Sequence, residues 1–209
     1  SSLFLSAAVE HKAPYKALLT HGFTVDGKGE KMSKSKGNVI APEKVIKQYG
    51  SEILRLWVAL SDYQTDLKIS DDILKQTAEQ YRKIRNTFRF LLANVDDLET
   101  VLGYEELGEL DKWIVSKASI VFDDAHDFFG KYNYVQGMSV ITNFIVNELS
   151  GIYLAVTKDS LYCDGKDSLT RRGSQSAMAI ILKPLLLLLA PVCSSPADEI
   201  LESLPAVLK

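Results

Sequence analysis

From Ser70 onward the chain is written almost entirely in helical periodicity, and no other feature constrains its fold as tightly. Leu74, Ala78, Tyr81, Ile84, Phe88, Leu91, Leu92 and Val95 recur at steps of three and four, which places one apolar stripe along a single long helix. Lys75, Glu79, Arg82, Lys83 and Asn86 fall on its other faces. Ser70, Asp71 and Asp72 put a capping hydroxyl and two acids at the positive end of that helix. A second stripe carries Leu110, Trp113, Ile114, Ala118, Val121, Phe122 and Ala125, and a third carries Met138, Ile141, Ile145, Leu149, Ile152 and Val156. A fourth helix is expected from about Leu169 to Leu189, with a kink at Pro184, and a short fifth from Ala197 to Leu204. Each helix hides only one face, so they must pack on one another, and residues 70–209 are expected to form a helix bundle.

Residues 1–69 have a different texture. Leu3 to Val9 reads as the end of a helix, and Ala17 to Val25 is rich in strand-forming residues. Asp26-Gly27 then signals a tight turn. Pro42 suits the first turn of a short helix, Gly50 its stop, and Ser51 the cap of the next helix, Glu52 to Leu60. Strand, loop and helix in this order are what an α/β domain supplies near its last strand. The expected fold class is therefore mainly α: a helix bundle preceded by a small α/β remnant, whose strand would have an open edge.

Composition narrows the function classes. The net charge of −3 excludes a uniformly basic nucleic-acid binder, so any such role needs a local basic face. Cys163 and Cys193 are isolated, which argues against a zinc site and a disulfide framework and fits a reducing, cytoplasmic setting. The apolar run Ala177 to Pro191 is too short to span a membrane and contains Lys183, so it reads as a buried helix. Trp57 and Trp113 fall within apolar stripes and are expected to be core anchors. The first residue is Ser1 rather than methionine, from which a piece of a longer chain is expected.

Chemistry concentrates in Lys31-Met32-Ser33-Lys34-Ser35-Lys36-Gly37-Asn38. Three lysines in six residues, between a tight turn and a helix, make a cationic arm. An ammonium on a flexible stem suits polyphosphate, serine hydroxyls add donors, and Gly37 lets the backbone bend sharply. No G-x-x-x-x-G stands directly before the Lys-Ser pair, so it is not a P-loop. A lysine- and serine-rich run of this kind can also be a solvated loop with no ligand. His21, just before the turn, either lines a nucleotide pocket or makes a structural hydrogen bond.

The run resembles the KMSKS signature of class I aminoacyl-tRNA synthetases, and the resemblance extends from Pro14 to Ala59. Leucyl-, valyl- and methionyl-tRNA synthetases share its KMSKSKGN core. SDYQTDLKIS (Ser61 to Ser70), YRKIRNTFRFLLANV (Tyr81 to Val95), ELDKWIV (Glu109 to Val115), RRGSQSA (Arg171 to Ala177) and LAPVCSSPADEI (Leu189 to Ile200) are similar to the isoleucyl-tRNA synthetase family. Ala155 and Ser160 depart from it, standing where an acid and an arginine are common.

The resemblance implies ATP, as a substrate with Mg2+, together with isoleucine and tRNA(Ile) as partners, and a cytoplasmic monomer with no membrane association. It implies ATP contacts from Lys31, Met32, Ser33, Lys34 and Ser35, with Lys31 and Lys34 stabilising charge on the phosphates. It also implies that residues 70–209 are an anticodon-binding domain and that residues 1–69 end a Rossmann-like catalytic domain. The candidates for tRNA contact are Arg82, Lys83, Arg85, Arg89, Arg171 and Arg172. The family's HIGH signature, editing insertion and zinc module are not in these residues, so the chain alone is expected not to aminoacylate. Three rival readings are weighed against it: a valyl or leucyl relative, a helical protein-interaction module with an incidental lysine loop, and a free-standing tRNA-binding cofactor, which would need a natural start near Ser1.

Overall fold

The computed structural model describes residues 1–209. Helix α1 (Ser2–Glu10) leads through an irregular stretch to strand β1 (Thr24–Val25). Helices α2 (Pro42–Tyr49) and α3 (Ser51–Leu60) follow, then strand β2 (Leu67–Lys68), which pairs in parallel with β1. The strand expected over 17–25 is real only at its last two residues, because only Thr24 and Val25 find a partner. β-propensity describes fit to a pleated surface, and residues 17–21 make no backbone bonds to a neighbour, while Gly22 and Phe23 bond to the Tyr63 carbonyl and the Leu67 N–H without joining the ladder. The helix predicted from Glu52 begins one residue earlier: Gly50 is the cap, and the Ser51 hydroxyl bonds to the Glu52 carboxylate instead of a backbone N–H.

The long helix is present as α4 (Asp71–Val95), and the Ser70 hydroxyl accepts from the Ile73 N–H at 3.3 Å, as the sequence predicts. Helix α5 (Glu109–Gly130) comes next. The third stripe is a continuous helical run in three parts: α6 (Tyr134–Asn143), a π-helical stretch (Phe144–Tyr153) and α7 (Leu154–Cys163). Here the sequence reading fails at two residues, since Ile152 and Val156 are 47% and 60% exposed. Each π turn takes more residues than an α turn. The buried face therefore advances by fours, through Ile141, Ile145, Leu149, Tyr153, Thr157 and Leu161.

Helix α8 (Leu169–Leu189) is the most buried element and runs on through Pro184. Pro184 lies on its exposed side, where water can replace the bond its missing N–H removes. Ile181, Leu182, Leu185, Leu186 and Leu189 are buried around it. Each stabilises the fold by about 1.5–3 kcal/mol relative to exposure, which outweighs the roughly 3 kcal/mol a helical proline costs. The last helix, α9 (Ser194–Glu202), starts before Pro196, which sits in its first turn. The runs 134–163 and 169–189 are long and apolar enough to cross a bilayer, but their apolar faces form the core of this bundle.

Two apolar cores result. The larger is the bundle's; the smaller gathers Val45, Ile53, Trp57, Leu67, Ile69 and Leu74. Helix α3 serves both, giving Leu56 and Ala59 to the large core and Ile53 and Trp57 to the small one. Trp57 is buried as expected, whereas Trp113 is only partly buried against the bundle core.

Candidate functional site

The lysine loop is braced from below by two residues whose roles the sequence reading missed, Asp26 and Asn38. Val25 and Lys31 bridge antiparallel, closing a turn in which the Asp26 carboxylate accepts the N–H groups of Lys28 at 3.0 Å and Glu30 at 2.8 Å. The Asn38 amide reaches under the loop. Its Nδ2 donates to Asp26 Oδ2 at 2.8 Å and to the Lys31 carbonyl at 3.3 Å, and its Oδ1 accepts from the Ser33 N–H at 2.9 Å. The bond from Asn38, followed by the backbone donors, holds the Asp26 carboxyl below the usual carboxylate range. The signal for this was a pair of turn-forming side chains at the two feet of one loop.

Residues Lys34–Lys36 form a single 3₁₀ turn capped by Ser33, whose hydroxyl accepts from the Lys36 N–H at 3.3 Å. The Ser33 and Ser35 hydroxyls bond at 3.2 Å. Gly37 closes the turn at φ 67°, a region glycine enters without penalty. Met32 points inward, packs on the small core and accepts from the Ile40 N–H through sulfur at 3.5 Å. Lys36 pairs with Glu30 at 3.0 Å. Lys31 and Lys34 are exposed and form neither ion pairs nor side-chain hydrogen bonds. The loop thus offers two uncommitted cations on a braced backbone, a geometry suited to an anion carrying several charges. His21 makes the structural bond, Nδ1 to the Gly22 carbonyl at 2.7 Å.

The basic candidates on the bundle divide sharply. Arg82, Lys83, Arg85 and Arg89 are all exposed on α4. Arg82 is paired with Glu79. Arg85 and Arg89 line a shallow groove against Pro196, Glu199 and Ser203. Lys83 faces the other way, into a cleft of about 330 Å³ between α4 and the π–α7 run, which it shares with Asn86, Phe90, Ser150, Ala155 and Lys158. Lys158, which sequence reasoning overlooked, stands across from Lys83, and neither is ion-paired.

Arg171 and Arg172 correct the sequence reading. They are only 14% and 18% exposed, and their guanidinium groups are committed inside the fold. Arg171 pairs with Asp97 at 2.9 Å and donates to the Leu161 carbonyl; Arg172 donates to the Asp97 carbonyl at 2.8 Å. Gln175 completes the knot by donating to Asp97 and to the Asn94 carbonyl, both at 2.6 Å. Burial pushes the Asp97 carboxyl up, but the donors from Gln175 and Arg171 and the two guanidinium charges outweigh it and leave its pKa lowered. These arginines tie α8 to the end of α4 instead of presenting charge to a ligand.

A family described as tRNA synthetases class I (I, L, M and V) matches residues 1–70, and the anticodon-binding domain of tRNA ligase matches residues 111–207. Isoleucine–tRNA ligases of Sulfurimonas denitrificans, a Sulfurovum species and a Nitratiruptor species are 68%, 64% and 63% identical to all 209 residues. The chain spans only 23%, 23% and 22% of their lengths. Among solved structures, an Agrobacterium radiobacter LeuRS–tRNA–LeuAMS ternary complex superposes with TM-score 0.71 at 18% identity, over 97% of this chain and 24% of that one. Mycobacterium tuberculosis methionyl-tRNA synthetase with methionyl-adenylate gives 0.73 at 20%, over 87% and 37%. At those identities the two structures speak for the fold alone. Residues 1–70 and 111–207 match synthetase families and the relatives align with every residue, as fits a segment of a class I aminoacyl-tRNA synthetase.

Proposed function

We propose that this chain is the part of an isoleucine–tRNA ligase in which residues 1–69 present the ATP- and pyrophosphate-facing lysine loop and residues 70–209 hold tRNA(Ile). The observation that carries the reading is the loop itself, with Lys31 and Lys34 unpaired on a backbone braced by Asp26 and Asn38. Relatives at 58 to 68% identity that bear this ligase name over all 209 residues support the choice of amino acid.

Adenylate formation joins the isoleucine carboxylate oxygen to the α-phosphorus of ATP and breaks the bond to the β-phosphate. Negative charge builds on the departing pyrophosphate. Lys34 and Lys31 meet that charge, and fixed cations lower such a barrier because they need no reorganisation. Ser33 and Ser35 shape the loop, and its opening releases product. Mg2+ would travel on the ATP phosphates. On the bundle, the Lys83–Lys158 cleft and the Arg85–Arg89 groove supply the phosphate contacts, and Phe90 and Asn86 line the cleft for a splayed base. The free thiols Cys163 and Cys193 suit a reducing, cytoplasmic setting.

The test is Lys34→Ala in the full-length ligase. Isoleucine-dependent ATP–pyrophosphate exchange should fall in kcat by about 100- to 1,000-fold, the scale of losing one transition-state donor, with isoleucine binding little changed. An unaltered exchange rate would remove Lys34 from the chemistry.

A further inference from the structure

The strand that feeds the lysine loop reaches the helix bundle through Tyr63. The Tyr63 hydroxyl donates to the Tyr132 carbonyl at 2.8 Å, and its ring packs on Tyr134 with centroids 5.8 Å apart. Tyr132 sits in the tight turn between α5 and α6 at φ 60°, an uncommon conformation for a tyrosine, so the carbonyl that accepts is aimed by the fold. On its other side Tyr63 accepts the Gly22 N–H at 2.8 Å through its own carbonyl. A Cβ at Gly22 would lie 2.1 Å from the Thr65 carbonyl oxygen, so this close approach admits glycine alone. Past Gly22 the series continues through β1 to Asp26, Asn38 and the Ser33 N–H. Every step from the bundle turn to the loop is therefore either a hydrogen bond or covalent backbone.

We propose that Tyr63 is a positioning residue for adenylate formation. Its hydroxyl registers β1, and with it Lys31 and Lys34, against the bundle that holds tRNA. The inference rests on the isoleucine-activation reading above. Tyr63 touches no substrate; it sets where the loop cations stand when the pyrophosphate leaves. A small displacement there costs rate before it costs binding, because the loop's contribution is made on developing charge. It also gives tRNA seated on the bundle and phosphates under the loop a common frame, which is the physical element a coupling between the two sites requires.

The experiment is Tyr63→Phe in the full-length ligase, which keeps the ring packing and removes one hydroxyl. Expected is a fall of about 3- to 10-fold in the kcat of isoleucine-dependent ATP–pyrophosphate exchange, the effect of one lost hydrogen bond, with isoleucine KM and tRNA(Ile) affinity unchanged. Tyr63→Leu, which removes the ring as well, should lower kcat further along the same axis. A lowered Tm with unchanged kcat per folded molecule would show a merely structural contact and overturn the proposal. So would a kcat loss matched by an equal loss of tRNA affinity, which would mean general loosening. If the unmodified ligase shows no isoleucine-dependent exchange, the functional reading fails, and the positioning role with it. If it exchanges normally and Tyr63→Phe matches it, the positioning role fails alone.

Discussion

Asp97, which the sequence reading did not single out, draws three side chains of α8 to one point. It receives Arg171, Arg172 and Gln175 together, and its pKa is lowered in consequence. A carboxylate depressed in the folded state contributes stability that is complete above its unfolded pKa, 3.8 in the ordinary case, and that is lost as pH falls through the lower folded value. Asp97→Asn should therefore cost about 1–2 kcal/mol at pH 7, at the low end for a charged bond because Asp97 is one-third exposed, and it should flatten the acid limb below about pH 4. Urea denaturation at pH 7 and pH 3 measures both; parallel losses in wild type and variant would show that Asp97 carries none of the acid sensitivity. Arg171 and Arg172 read as surface cations because nothing local marks Asp97, more than 70 positions earlier, as their partner. The lysine loop was legible as a cationic loop for the opposite reason: its cations, serines and glycine lie within eight consecutive residues. Asn38 stood at its end in plain view, but its job depends on Asp26 turning back under the loop, which a linear reading does not give.

At the scale of elements, helix α4 was readable nearly to the residue, since a serine cap, two acids and an unbroken stripe are local signals. The run from Tyr134 to Cys163 was readable as a helix but not in phase. Its π-helical stretch advances the buried face until Tyr153, not Ile152, points inward. There the Tyr153 hydroxyl donates to the buried Asp111 carboxylate at 2.6 Å, and Ser174 donates at 3.1 Å. Burial, then the Asp111 charge, raises the Tyr153 pKa far above the ordinary phenol value, so the group stays a neutral donor. Asp111 stands in the first turn of α5, where the helix dipole favours its charge. One phase slip thus joins α5, the π stretch and α8 through a single carboxylate. Tyr153→Phe keeps the ring volume and removes one of the two side-chain donors to Asp111. It should destabilise the chain by about 1–3 kcal/mol, the cost of under-satisfying a buried charged acceptor. Equilibrium urea unfolding checks this. A change within error of zero would mean that the helical run can re-phase, with Ile152 taking the inward position that the plain α period assigns it.

For the whole molecule the decisive element is α3, because it belongs to neither core alone. Its Ile53 and Trp57 face the small core under the lysine loop, and its Leu56 and Ala59 face the bundle. Arg55 between them donates to the Val192 carbonyl at 2.8 Å and to the Ser194 hydroxyl at 2.9 Å. Glu52 accepts from Ser195 at 2.7 Å, and that bond, opposed by burial, lowers its pKa. Beside them the Cys193 thiol is pushed up to about 11, first by burial and then by the Glu52 charge, so it packs as an apolar group. A change of texture near residue 69 marks a change of fold style, but the packing does not break there. Loop and bundle should accordingly unfold as one cooperative unit, despite their different architectures. Trp57 reports the small core, and in a Trp113→Phe background its fluorescence does so without interference. Leu56→Ala removes a fully buried side chain from the bundle side of α3 and should cost about 2–5 kcal/mol. If α3 unites the cores, that substitution moves the Trp57 fluorescence transition and the helical circular-dichroism transition to the same lower urea midpoint. If it does not, the circular-dichroism curve shifts, the Trp57 curve stays in place, and the lysine loop rides on a unit that can open without disturbing the bundle.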